Sequence, residues 1–267
     1  MSKLESILMI GCGNMGGAML AGWLAGGIAA VRFTVVDPVL PVAPAGVTLL
    51  RDLPQARFDA ILLGVKPQML DDVAPAIAAL TDNDTLILSI LAGVELDSLA
   101  VRFPAVSGLV RIMPNLAAAI GKSPVALVSR GLDHAAIDAI STLMTPLGTP
   151  EWLADETQFD LVTALTGSGP AFVYRFIDAL AEGAANLGLP REQADRFAVA
   201  TVEGAAALAA ASPHSPGELA RRVASPGGTT QAGLDVLDAD RAVVRLVEAT
   251  LKAARDRGAE MARAARG

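Results

Sequence analysis

The feature that most constrains this chain is a glycine motif directly after its first apolar segment. Residues 11–16 read GCGNMG and match the spacing G-x-G-x-x-G, with an apolar run at 6–10 before them and a helix-forming stretch after them. In a strand–turn–helix unit, Gly11 permits the tight turn, Gly13 lets the backbone approach a pyrophosphate, and Gly16 lets the helix pack closely. The motif therefore predicts a dinucleotide-binding unit whose helix start offers free amides and partial positive charge to phosphates.

The rest of the first half continues this alternation of strand-like and helix-like segments. Short apolar or β-branched runs predict six further strands, at 32–36, 60–65, 85–90, 108–113, 125–129 and 151–153. After about residue 155 no strand pattern remains, and the stretches at 171–187 and 191–211 predict helices. We therefore expect an α/β Rossmann domain with a mostly parallel sheet over residues 1–155, and an all-α domain over residues 156–267.

The ends of the predicted strands add candidate cofactor residues, because ligands of open parallel sheets bind beyond the carboxyl ends of the strands. Asp37 stands where a carboxylate accepts the ribose hydroxyls of the adenosine, which favours NAD slightly over NADP; a turn-capping aspartate is the alternative. Lys66, at the end of another strand, is either a cofactor contact or a solvated lysine. Asn115 both donates and accepts, which suits a ribose or a carboxamide, and a turn asparagine is the alternative. The complete set of predicted cofactor contacts is Gly11, Gly13, Asn14, Met15, Gly16, Asp37, Val65, Lys66, Pro67 and Asn115.

Composition narrows the class of protein and its partners. The net charge is −7 and no dense basic run is present, so we expect no nucleic-acid partner. The single cysteine, Cys12, fits a reducing compartment, and the absence of a signal-peptide pattern or a long apolar run predicts a cytoplasmic protein without a membrane span. No metal-binding spacing of histidine, cysteine or carboxylate residues is found, so we expect no metal site.

Two more glycine motifs lie in the second half of the chain. Residues 167–171 read GSGPA and residues 225–230 read SPGGTT, each just before a predicted helix. Each pattern predicts a turn that feeds a helix start and exposes its amides, which is a candidate site for an anion. For the second motif the alternative is that Thr229 or Thr230 only caps the helix.

Together these motifs resemble the pyrroline-5-carboxylate reductase family over nearly the whole chain. The resemblance includes GCGNMG, VKPQ at 65–68, RIMPN at 111–115, GSGPA and SPGGTT, in the family's order and spacing. It implies reduction of the cyclic imine 1-pyrroline-5-carboxylate to L-proline, the last step of proline biosynthesis, with NADP or NAD in the reduced form. It also implies a helical second domain that dimerises with its twin, so the expected partners are a cyclic imino acid and a second copy of the chain.

The resemblance also assigns residues by matching position. The substrate carboxylate is expected on the amides of Gly228, Thr229 and Thr230, and the Thr230 hydroxyl is the predicted catalytic group, bonded to the ring nitrogen. Asn115 is expected near the nicotinamide ribose.

Departures from the family pattern leave substrate preference open. Leu116-Ala117 replaces a Thr-Pro pair, Phe172 an aromatic tyrosine, and Ser215 a histidine. A related imine or hydroxyacid dehydrogenase is one alternative, although the helix that opens the second domain lacks the lysine such enzymes place there. A non-catalytic dinucleotide-sensing protein is the other, although it would not need the SPGGTT motif.

Overall fold

The computed structural model, which describes residues 4–266, contains one eight-stranded sheet. The spatial order of the strands is β3-β2-β1-β4-β5-β6-β7-β8, and every neighbouring pair is parallel except β6 and β7. The mostly parallel Rossmann sheet is therefore confirmed. The strands are β1 Ile7–Ile10, β2 Phe33–Val36, β3 Thr48–Leu50, β4 Ala60–Leu63, β5 Leu86–Ser89, β6 Gly108–Met113, β7 Ser123–Arg130 and β8 Gly148–Trp152.

Ten α-helices accompany the sheet in the described part of the chain. Those of the first half are α1 Asn14–Ala25, α2 Leu70–Ala78, α3 Leu96–Arg102 and α4 His134–Met144. Those of the second half are α5 Phe159–Val162, α6 Gly169–Asn186, α7 Arg191–Ala211, α8 Pro216–Val223, α9 Thr229–Asp238 and α10 Ala242–Arg266. From residue 156 to residue 266 the chain contains helices and turns only, which confirms the predicted all-α second half.

The strand β3 is not among the strands that the sequence predicts. It has only three residues, which is too short for a periodic pattern, and it follows a loop that contains three prolines. It forms by pairing with β2, Thr34 opposite Thr48 and Val36 opposite Leu50. No helix lies between β2 and β3, so a loop makes this crossover.

The core of the sheet lies on both of its faces. Alternate residues of β1 point to opposite sides: Ile7 and Met9 pack with α1 and α4, whereas Leu8 and Ile10 pack with α2 and α3. Burying one large apolar side chain of this kind stabilises the fold by about 1.5–3 kcal/mol. The core therefore fixes the strand ends, and with them the loops at the carboxyl edge of the sheet.

The chain divides into two compact units. One contains Met1–Ser168 and Ala253–Gly267, and the other contains Gly169–Lys252. The domain boundary predicted at 155/156 follows the last strand, β8, and it stays a prediction. None of the helices within residues 4–266 combines the length and apolar composition that a membrane span requires.

Candidate functional site

The glycine loop between β1 and α1 has three distinct environments. Gly11 has φ +85°, and a Cβ there would lie 2.9 Å from the carbonyl oxygen of Gly64, so the tight turn tolerates no side chain. A Cβ at Gly16 would lie 3.2 Å from the carbonyl oxygen of Gly11, which shows how closely α1 approaches the loop. By contrast, nothing lies within 4 Å of the position of a Cβ at Gly13. The loop therefore leaves open space at the one glycine where the sequence predicts a pyrophosphate.

The start of α1 is free to bind an anion. Its N-cap is Gly13, no side chain caps the helix, and its first turn contains no acidic residue. Gly13 and Asn14 are exposed, Met15 is half-buried and Gly16 is buried. Unsatisfied amides and the helix dipole favour negative charge at such a terminus. These features fit the pyrophosphate of a dinucleotide.

Asp37 lies at the end of β2, beside the glycine loop. Its carboxylate accepts hydrogen bonds from the backbone amides of Cys12 at 2.8 Å and of Val39 and Leu40 at 2.9 Å. Burial raises the pKa of Asp37, but the hydrogen bonds from these amides and the charge of Arg51 outweigh it and hold the pKa below its usual value. Asp37 therefore caps its own turn and clamps the glycine loop, while its contact with a ribose stays a prediction.

The loop after β4 lies against the same glycine loop. The amide of Gly64 donates to the carbonyl of Ile10 at 2.8 Å, and Val65 packs against the core. Lys66 is exposed and precedes the 3₁₀ turn Pro67–Met69. The structure thus brings the VKPQ segment to the carboxyl edge of the sheet beside GCGNMG.

Asn115 connects the end of β6 with the GSGPA motif. Its Oδ1 accepts from the amide of Ala117, and its Nδ2 donates to the carbonyl of Thr166, both at 2.9 Å. Thr166 belongs to a π-helical turn, Thr163–Gly167, and such turns are frequent at functional sites. The side chain is buried, so its first role is to hold this turn, and its contact with a nicotinamide ribose stays a prediction.

The predicted free helix start at GSGPA is wrong. Gly167 closes the π-helical turn, Ser168 keeps helical backbone angles and donates to the carbonyl of Thr163 at 3.0 Å, and α6 begins at Gly169. The glycines therefore continue a helical run instead of opening one. Gly167 serves close packing, because a Cβ there would lie 3.3 Å from the Met113 sulfur.

The SPGGTT turn, in contrast, does open a helix. Gly227 has φ +70°, the amide of Gly228 donates to the carbonyl of Ser225 at 2.9 Å, and α9 begins at Thr229. The N-cap is Gly228 and no side chain caps the helix, so the alternative that Thr229 or Thr230 serves as a cap is wrong. Both threonines are exposed, and the first turn contains no acidic residue. The turn is a second helix start that is open to an anion.

Comparison with known proteins gives full-length matches. A family model for pyrroline-5-carboxylate reductase dimerisation matches residues 156–261. The pyrroline-5-carboxylate reductase of Pseudomonas aeruginosa is 35% identical over 96% of this chain and 96% of its own length. Pyrroline-5-carboxylate reductase 2 of Bacillus subtilis is 32% identical over 93% of this chain and 94% of its own.

The chain belongs to the pyrroline-5-carboxylate reductase family. A solved structure of a family member from Coxiella burnetii agrees with this assignment. It covers 97% of this chain and 98% of its own, with a TM-score of 0.90 and 30% identity. The predicted family and fold class are therefore confirmed.

One buried cluster of this family member was not among the predicted site residues. Arg111, in β6, is 3% exposed; its guanidinium lies 2.6 Å from the Glu156 carboxylate and 4.0 Å above the ring of Phe159. The same carboxylate accepts from the amide of Leu96 at 2.9 Å. The cluster ties β6 to the segment that leads out of the sheet. An arginine inside an otherwise apolar strand was the available signal in the sequence.

Proposed function

We propose that the chain reduces 1-pyrroline-5-carboxylate to L-proline with NADPH or NADH, the last step of proline biosynthesis. The observation that carries this proposal is the full-length match to curated reductases of this family. The two uncapped, glycine-led helix starts at Gly13 and Gly228 support it, because one suits a pyrophosphate and the other a carboxylate.

The residues of the second turn then bind and orient the imine. The amides of Thr229 and Thr230 receive the substrate carboxylate, and the Thr230 hydroxyl hydrogen-bonds the ring nitrogen. The amide of Gly228, which the sequence also assigns to the carboxylate, is already bonded to the Ser225 carbonyl, so Gly228 contributes the shape of the turn. When bound, the reduced nicotinamide supplies the hydride to the imine carbon. The ring nitrogen is basic enough to carry its own proton, so alignment is the main task, and alignment is worth about 7–11 kcal/mol of barrier.

Steady-state kinetics of Thr230→Ala test this assignment. Loss of one hydrogen bond to a charged group predicts a fall in kcat/KM for the imine of about 10- to 100-fold. The control is Thr142→Ala, which removes an exposed hydroxyl of α4 that donates to the Asp138 carbonyl, and it should retain full activity. An unchanged kcat/KM in Thr230→Ala would remove Thr230 from the site.

The same assay separates the alternatives. A hydroxyacid dehydrogenase would oxidise a hydroxy acid with the oxidised cofactor and leave the imine untouched. A dinucleotide sensor would bind the cofactor without turnover of either compound. We also propose that the enzyme works in the cytoplasm, which the single cysteine supports.

We further propose that residues 156–267 form the dimerisation and substrate domain of a homodimer. Support comes from Gly169–Lys252, where the buried apolar cluster consists only of Ala181, Ala194 and Ala198. Its helices instead expose large apolar side chains, which mark association surfaces. Examples are Phe176, Leu180, Phe197, Leu208, Val244 and Leu246.

The dimer has its own test in sedimentation equilibrium. Leu246→Glu places a charge on an exposed apolar position of α10, 70% exposed, and is expected to shift the enzyme to monomers. Val101→Glu changes an apolar residue of α3 that is even more exposed, at 79%, and is expected to leave the dimer intact. A monomeric wild type would contradict the proposal.

A further inference from the structure

The pairing of β2 with β3 places Arg51 beside Asp37 at the carboxyl edge of the sheet. Val36 pairs with Leu50, so the residues that follow them, Asp37 and Arg51, leave the sheet side by side. The amide of Asp37 donates to the carbonyl of Leu50 at 3.2 Å. This is the edge at which a Rossmann sheet holds the adenosine ribose of its cofactor.

Asp37 is poorly suited to accept ribose hydroxyls. The residue is 6% exposed, and both carboxylate oxygens already accept hydrogen bonds from backbone amides, Oδ2 from Cys12 and Oδ1 from Val39 and Leu40. An acidic residue selects NAD by presenting its oxygens to the 2′-hydroxyl. Here those oxygens hold the loop and the turn instead.

Arg51 supplies the positive charge beside Asp37 at the carboxyl edge of the sheet. It is the only lysine or arginine from residue 33 to residue 56. Its Nη1 donates to the carbonyls of Asp37 and Leu40, each at 2.7 Å, which orients the guanidinium over the turn. The side chain is exposed, and its Nε and Nη2 bond to no other residue within 4–266. A guanidinium with two such donor nitrogens matches a phosphate in geometry and charge.

We propose that Arg51 binds the 2′-phosphate of NADP(H) and gives the enzyme its preference for the phosphorylated cofactor, while Asp37 only maintains the turn. The inference rests on the proposed function for the presence of a dinucleotide. It reverses the slight preference for NAD that the carboxylate at position 37 suggests from sequence.

Isothermal titration calorimetry with two adenosine probes tests the proposal without turnover. The probes are adenosine 2′,5′-bisphosphate and 5′-AMP, which differ only by the 2′-phosphate. The wild type should bind the bisphosphate at least about tenfold more tightly than 5′-AMP, because only the bisphosphate can accept a charge-assisted hydrogen bond at its 2′-phosphate. Arg51→Gln should weaken the bisphosphate about 10- to 100-fold and 5′-AMP by less than about twofold.

Two more variants make the test decisive. Arg57→Gln removes the same charge from an arginine that pairs with Asp82 at 3.4 Å, and its affinities should equal those of the wild type. Arg51→Lys keeps the charge and should retain part of the preference even where Arg51→Gln folds poorly. Equal affinity of the wild type for both probes, or an equal loss of both in Arg51→Gln, would overturn the proposal.

The outcome is independent of the proposed reaction. A wild type that discriminates the probes but does not reduce the imine would refute the proposed function alone. A wild type that reduces the imine but does not discriminate the probes would refute the role of Arg51 alone.

Discussion

The helices α1 and α9 both begin after a glycine N-cap, but the two turns differ in the contacts that hold them in place. Gly13 precedes α1 and Gly228 precedes α9, and neither helix has a side-chain cap or an acidic residue in its first turn. The first loop is fixed from several sides, by the Asp37 carboxylate and by backbone contact with Gly64. Within its unit, the second turn is secured by the hydrogen bond from Gly228 to the Ser225 carbonyl, and Thr230 is exposed.

This difference indicates how much of each site the fold forms before any ligand binds. The first loop emerges from a sheet with a large apolar core, so its amides are preorganised by burial. The second lies in a unit whose buried cluster is three alanines, so its surroundings depend on what covers that unit. We expect cofactor binding to tolerate changes in assembly better than imine reduction does.

The largest expected effect comes from adding a side chain to the glycine with positive φ in the first loop. The same change at the glycine with positive φ in the second turn provides the comparison. Gly11→Ala meets the Gly64 carbonyl at 2.9 Å and also carries φ strain, so we expect a loss of about 3 kcal/mol or more in unfolding free energy, with loss of cofactor binding. Gly227→Ala has φ +70° but no atom within 4 Å, so about 1 kcal/mol of strain is expected. Thermal unfolding would measure both, and equal losses would contradict the difference between the turns.

A smaller effect is expected when the clamp on the first loop is removed. Asp37→Asn removes the negative charge that accepts the hydrogen bond from the Cys12 amide. This change should lower the unfolding free energy by about 1–3 kcal/mol and leave the Ser225–Gly228 turn unaffected. Hydrogen exchange of the two loops would show this, through faster exchange at the amides of Cys12, Val39 and Leu40 and unchanged exchange in the Ser225–Gly228 turn. Uniform exchange changes would count against a local clamp.

The same variant predicts a pH dependence with a definite sign. Because the pKa of Asp37 is lower in the folded state, its contribution is complete above the unfolded value of about 3.9 and is lost as pH falls through the folded pKa. The stability difference between wild type and Asp37→Asn should therefore shrink in acid. A difference that grows in acid would show that the carboxylate is not stabilised by folding.

Local patterns were enough to predict much of the fold and the first loop. An apolar run followed by glycines specifies a strand, a turn and a helix within 20 residues, so Gly11 and Gly16 could be assigned from sequence alone. The short strand β3 could not, because pairing with β2, rather than its own pattern, makes it a strand.

Contacts between distant segments were beyond sequence reasoning. Asp37 was identified as an important acid, but its bond to the Cys12 amide depends on how two loops close against each other. The bond from Asn115 to the Thr166 carbonyl spans 51 residues and exists because a π-helical turn replaces the expected glycine turn. Arg51 lies at the predicted cofactor-binding edge of the sheet because β3 pairs with β2 in this register. Each case requires tertiary geometry that spacing along the chain does not encode.

The central claim is that the amides at the start of α9 hold the substrate carboxylate, and one variant removes a single amide. Thr229 is the first residue of α9, where proline is tolerated because that N–H has no partner within the helix. Gly228 before it has φ −82° and ψ 169°, the extended conformation that proline requires of its predecessor. Thr229→Pro should therefore fold normally.

The decisive measurement is kcat/KM of wild type and Thr229→Pro with 1-pyrroline-5-carboxylate and with 1-pyrroline, which lacks the carboxylate. We predict that Thr229→Pro loses about tenfold or more with the carboxylate substrate and less than about twofold with 1-pyrroline. An equal loss with both imines, or no loss with either, would contradict the claim that this turn binds the carboxylate.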